Sequence, residues 1–122
     1  MATHPEVKTY AGGCHCGAVR WHVTTDLGRV LSCNCSICMK VGALRTFVKA
    51  EKFVLEKGED MLTDYQFAKH QVHHLFCKKC GVHSYGTGSG NDGTAIVCVN
   101  VRCFDEDVLA KVTLTNYDGK SV

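Results

Sequence analysis

The sequence predicts a small, mainly β fold built from antiparallel strands, and three observations lead there. Twelve glycines against a single proline, Pro5, punctuate the 122 residues, a balance that suits a turn-rich β protein. Short alternating or β-branched runs recur between those turns. Most of the nine cysteines fall in tight clusters, the first and last roughly sixty residues apart, so one metal joining them would pin distant strands together. With 45% hydrophobic and 21% charged residues the composition is that of an ordinary globular chain. The length suits one domain over 1–122.

The elements follow in order. After a Gly-rich entry, 19–24 (V-R-W-H-V-T) alternates as a strand does. A short strand over 30–32 leads into three cysteines, and 35–40 has room for one helical turn that Ser36 could cap. Strands are expected over 46–50 and 53–56, then a turn at Gly58-Glu59-Asp60. A hairpin follows, with strands over 62–67 and 70–76. The stretch 87–93 (T-G-S-G-N-D-G) is a loop by composition. The strongest strand is 95–103, with Cys98, Asn100 and Arg102 on one face and Val99, Val101 and Cys103 on the other. Residues 105–109 suit a short helix capped by Asp105, and 112–115 an edge strand.

The cysteine spacing carries the chemistry. Cys14 and Cys16 form C-x-C, Cys33, Cys35 and Cys38 form C-x-C-x-x-C, and Cys77 and Cys80 form C-x-x-C followed by Gly81. An odd total argues against a pure disulfide framework, and such close pairs converge on a metal more readily than they bridge each other. In C-x-x-C-G the turn aims both sulfurs at one point, as in the knuckle of a zinc ribbon. Zinc takes four protein ligands in structural sites and keeps a position open in catalytic ones. One partition joins Cys14, Cys16, Cys77 and Cys80 in a closed site and leaves Cys33, Cys35 and Cys38 as a three-thiolate site with a vacancy. Other partitions leave an odd thiol unexplained. A histidine among His15, His73, His74 and His83 could instead complete a second structural site. Redox use of the C-x-x-C fits poorly, because no βαβ pattern surrounds it.

Three ordered motifs give the chain a family likeness: Gly12-Gly13-Cys14-His15-Cys16-Gly17-Ala18-Val19-Arg20, then Cys33-Asn34-Cys35-Ser36-Ile37-Cys38, then Phe76-Cys77-Lys78-Lys79-Cys80-Gly81-Val82-His83. Together with V-N-V-R-C-F-D over 99–105 they resemble the glutathione-dependent formaldehyde-activating enzyme family, also called centromere protein V-like, across residues 10–109. The resemblance implies a β-tent fold of two small antiparallel sheets with zinc-ribbon-like knuckles. It implies two zinc ions per chain, a structural one on Cys14, Cys16, Cys77 and Cys80 and a catalytic one on Cys33, Cys35 and Cys38. The implied activity is that of a carbon–sulfur lyase adding glutathione to formaldehyde to give S-(hydroxymethyl)glutathione. The rival readings are a non-catalytic zinc-binding interaction module and an enzyme using a different thiol or aldehyde.

The remaining residues bound the function. Seven thiolates with two divalent zinc ions together contribute three negative charges and turn the formal +2 into −1, so the basic balance gives no nucleic-acid signal. Residues 1–10 carry no basic segment ahead of an apolar run, and the longest apolar stretch, 95–101, is too short to span a bilayer. A cytoplasmic location with reduced thiols is therefore expected. Lys40, Arg45 and Lys49 could meet the carboxylates of a thiol substrate, although solvated surface is the ordinary role of such charges. Ser36 could bond a ligand sulfur, and His83 could move a proton or orient a thiolate. His73 and His74 face opposite ways on a strand. Trp21 and Tyr85 read as core or rim, and Cys98 and Cys103 as small core hydrophobes.

Overall fold

A computed structural model describes residues 7–67, 72–90 and 92–119. The chain is mainly β and its strands form two sheets. The smaller contains β1 (Lys8–Gly13), β2 (Arg20–Thr25) and β5 (Phe53–Lys57), all antiparallel. The larger holds β3 (Val30–Cys33), β4 (Arg45–Lys49), β6 (Leu62–Tyr65), β7 (His73–Cys77), β8 (Tyr85–Ser89), β9 (Ala95–Asn100) and β10 (Leu114–Tyr117) in the order β10-β3-β4-β9-β8-β7-β6. One short helix, α1 (Ser36–Val41), follows β3.

The core lies between the sheets. Tyr10, Trp21 and Val23 from the small sheet meet Val48, Tyr85, Val97 and Val99 from the large one. Trp21 is fully buried and donates its indole N–H to Ser84 Oγ at 3.1 Å, so its one polar atom is satisfied. Phe104 and Phe53 pack on either side, with ring centroids 5.7 and 5.6 Å from the indole. Gly58 sits at φ 97°, and a Cβ there would lie 2.3 Å from the carbonyl oxygen of Ala18. The turn expected at Gly58 thus needs glycine for both conformation and space.

Four elements differ from the sequence reading. The strand expected over 95–103 ends at Asn100, where the side-chain Oδ1 accepts the N–H of Arg102 and starts a single 3-10 turn, Val101–Cys103. Asp105 caps no helix, because Arg20 claims its carboxylate in a two-pronged ion pair; the helical turn falls later, at Leu109–Lys111. The first half of the glycine-rich stretch is strand, since β8 gains its pairing from β9. The edge strand expected near 112–115 exists as β10, yet it runs parallel to β3, so the large sheet is not wholly antiparallel. In the expected 70–76 strand, positions 70 and 71 lie outside the described residues. Among the described residues no helix is long and apolar enough to cross a membrane.

Candidate metal centres and the cavity beside them

The two cysteine groups assemble as the spacing proposes. The sulfurs of Cys14, Cys16, Cys77 and Cys80 all lie within 4.8 Å of one another, as do those of Cys33, Cys35 and Cys38. Both groups could hold metal ions, and neither includes a histidine or a carboxylate.

Two tight turns build the four-cysteine group. After β1 the chain turns at Gly17, φ 83°, and the N–H of Val19 points at Cys14 Sγ, 3.3 Å away. After β7 it turns at Gly81, φ 78°, whose N–H bonds Cys77 O at 2.7 Å, while the N–H of Lys79 points at Cys77 Sγ. Both glycines occupy the left-handed region that closes such a turn cheaply. Cys16 and Cys77 bring their sulfurs to 3.7 Å across 61 residues. Burial opposes ionisation of Cys80, but backbone N–H groups of Cys16 and Val82 pull it down to about 6. Donors aimed at sulfur in this way favour thiolate.

The three-cysteine group is local. Cys33 ends β3, Cys35 occupies the N-cap of α1 and Cys38 lies within the helix. Ser36 makes no capping bond. Burial acts to raise Cys35, yet the backbone N–H of Cys38 and the neighbouring thiols hold it below the ordinary thiol range. Burial and the adjacent Cys35 push Cys38 up to about 12, and Arg45 works against them through its charge and a hydrogen bond to the sulfur.

A cavity of 710 Å³ opens on these three sulfurs. Its floor is one cross-strand row of the large sheet: Phe47 opposes Cys98, Cys98 opposes Gly86, and Gly86 opposes His74. Alternate residues on the same strands, Val48, Val97, Val99 and Tyr85, point into the core, so this row faces the other way. Large side chains at the ends and small ones in the middle make a trough. Gly86 is fixed by more than the trough, since a Cβ there would lie 2.7 Å from the carbonyl oxygen of His73. Tyr117 of β10 closes one side, tied down where the N–H of Asn34 bonds Tyr117 O at 3.2 Å. Cys33 and Cys38 also border a second cavity of 560 Å³, lined in part by Arg102 and Asn116. The four-cysteine group borders neither.

Arg45 departs most from the surface role that its residue type suggests. It is 6% exposed, lines the cavity, and its Nε has no hydrogen-bond partner among the described residues. His74, 8% exposed, lines the same cavity, and its Nδ1 has no partner among the described residues. Burial first, then the charges of Arg45 and His83, holds His74 below the ordinary histidine range, which favours its neutral form. Buried groups left unsatisfied are uncommon and point to a missing partner. Lys40 and Lys49 are exposed and line no cavity described.

The other sequence candidates separate. His73 bonds Asp64 at 2.6 Å, and His15 is exposed. His83 stacks on Phe76 with centroids 5.0 Å apart and sits outside the 710 Å³ cavity. Trp21 and Tyr85 belong to the core. Cys103 lies in the 3-10 turn, whereas Cys98 is buried yet forms cavity floor. The sequence reading missed the roles of Phe47, Val72, Gly86 and Tyr117. The alternation Arg45, Thr46, Phe47, Val48 was the available signal: with Val48 in the core, Arg45 and Phe47 share the opposite face.

A family model described as glutathione-dependent formaldehyde-activating enzyme matches residues 9–118. Among solved structures, the crystal structure of a Rhodobacter sphaeroides protein is 28% identical, with a TM-score of 0.74 over 86% of this chain and 99% of that one.

Proposed function

Because the chain belongs to the glutathione-dependent formaldehyde-activating enzyme family, we propose that it adds the thiol of glutathione to formaldehyde, giving S-(hydroxymethyl)glutathione, and cleaves the same carbon–sulfur bond in reverse. The observation that carries this reading is the coincidence, in one cavity, of three convergent cysteines with a buried arginine and a buried histidine.

The donor sets fit zinc. Four sulfurs on two rigid turns suit a closed structural ion, held by Cys14, Cys16, Cys77 and Cys80. Three sulfurs facing a cavity suit an ion with one position left for substrate, held by Cys33, Cys35 and Cys38. Zinc bound there supplies a positive charge that favours the thiolate form of an incoming thiol and polarises a carbonyl oxygen.

The chain's own residues supply the rest. Arg45 offers buried N–H groups to a substrate carboxylate or to the reacting sulfur. Arg29 and Asp26 at the cavity edge match the carboxylate and ammonium groups of a peptide-like thiol. A ring nitrogen of His74, in the neutral form that burial favours, takes the thiol proton as the carbon–sulfur bond forms and returns it to the former carbonyl oxygen. Reduced cysteines fit a cytoplasmic setting.

Magnetisation-exchange NMR on free glutathione, formaldehyde and their adduct tests this. Zinc-loaded protein should accelerate exchange, and Cys35→Ser should abolish the acceleration while keeping the fold. No acceleration from protein carrying both metals would refute the reading.

A further inference from the structure

The cavity is more apolar at its mouth than the proposed substrates require. Formaldehyde has two heavy atoms and is strongly polar. Glutathione brings carboxylates, an ammonium group and amides. Yet three large hydrophobic side chains stand in solvent around this opening: Phe47 is 45% exposed, Val72 40% and Tyr117 38%. They come from β4, from the residue preceding β7, and from β10, so no single amphipathic strand accounts for them. Isolated exposed hydrophobics need no explanation, but a group of them around one concavity marks a binding surface. Leu31 continues the apolar wall inward, and Cys98 and Gly86 leave the floor between Phe47 and His74 open. Arg45, beside Phe47 on β4, and His74, beside Val72 at β7, line the same cavity, so hydrogen-bonding and apolar groups face one space.

We infer that this site forms and cleaves hemithioacetals of aldehydes bearing an alkyl or aryl group, with that group against the exposed apolar side chains of the cavity mouth. The inference rests on the thiol–aldehyde chemistry proposed above and names its carbonyl substrate class. The step balances without a further reagent. The thiol S–H adds across C=O, the carbon–sulfur bond forms, and the thiol proton ends on the former carbonyl oxygen. Cleavage reverses each change. At 710 Å³ the cavity falls within the range of pockets that enclose whole small molecules, so a tripeptide thiol and a short alkyl chain need not compete for one space.

Stable thioethers separate this inference from the one beneath it. S-methyl-, S-butyl- and S-hexylglutathione resemble the adducts but cannot revert, and their inhibition of glutathione–formaldehyde exchange reads binding free of aldehyde hydration. Each methylene moved from water into an apolar slot tightens binding by about two- to fourfold, so the hexyl compound should inhibit far more strongly than the methyl one. Phe47→Ser and Val72→Ser alter exposed positions on opposite walls, which the fold should tolerate, and the one on the wall that takes the alkyl group should flatten that dependence on chain length. Inhibition that is flat, that weakens with length or that is absent altogether, in protein that still accelerates formaldehyde exchange, overturns the inference and leaves the proposed function intact. Protein that neither accelerates exchange nor binds any thioether refutes both.

Discussion

Replacing Cys14 with serine should cost the fold far more than replacing Cys35, and the difference follows from chain topology. Cys14 contributes one of four sulfurs that join the turn after β1 to the turn after β7, a link across 61 residues. Cross-linking a loop of that length removes about 4 kcal/mol of chain entropy from the unfolded state at 25 °C. The three-cysteine group spans only Cys33 to Cys38, and the same expression gives about 2 kcal/mol for a six-residue loop. That local link joins β3 to its own following helix and holds no separate elements together. For a chain of this length about 1 kcal/mol shifts the melting temperature by roughly 3–6 °C. Cys14→Ser should therefore lower Tm by about 12–25 °C, and Cys35→Ser by about half of that or less. Circular dichroism melts of zinc-loaded proteins, with metal content measured on the same samples, provide the assay. Each variant should lose one zinc. Equal losses of Tm, or a larger loss for Cys35→Ser, would refute the division into a structural and an open site.

Two further outcomes are expected. Arg45→Met removes the cation whose charge and hydrogen bond counter the upward push on Cys38. The thiol must ionise before it can ligate, so metal uptake at the three-cysteine group should shift to higher pH by about one unit. Titration with cobalt, followed by its thiolate charge-transfer absorption, reads that midpoint, and an unmoved midpoint would contradict the contact. Ser84→Ala strands the buried indole N–H of Trp21, which now bonds Ser84 Oγ. Denaturant unfolding should show a loss of about 1–3 kcal/mol, and an unchanged midpoint would mean that the indole finds another acceptor.

Metal-ligand clusters were the legible part of this molecule because their geometry is local. C-x-C and C-x-x-C-G bring sulfurs together through one tight turn each, so spacing in sequence nearly equals spacing in space. Counting ligands already favoured pairing Cys14 and Cys16 with Cys77 and Cys80, and the resemblance implied the same partition. The cavity was illegible for the opposite reason. Phe47, Cys98, Gly86 and His74 form a row only after β4, β9, β8 and β7 pair in their particular register, and register is a tertiary fact. Arg45 was read as solvated surface because its residue type usually is. Its burial comes from Leu31, Asn100 and Cys38 closing around one strand end. Local chemistry likewise overrode pattern at 95–103, where alternation predicted a continuous strand but the Asn100 side chain bonds forward to Arg102 and turns the chain out of the sheet.

The burial of Arg45 also bears on why an arginine can stand there at all. An arginine only 6% exposed, whose Nε has no partner among the described residues, is strongly destabilising unless a counter-charge compensates it. No carboxylate is recorded pairing with it among the described residues. The cysteine group could supply that charge: with a divalent ion bound, three thiolates would carry a net −1, which Arg45 would bring to zero. Arginine and ligands therefore stabilise each other, the cation favouring thiolate at Cys38 and the thiolates making a buried cation tolerable. Without bound metal the balance depends on ionisation: no thiolate leaves Arg45 uncompensated, one balances it and three overcompensate it. Metal occupancy at this site should then be felt by the strand that carries Arg45, including Phe47 two residues on, which couples the state of the open centre to the cavity mouth where the substrate's apolar group is proposed to lie.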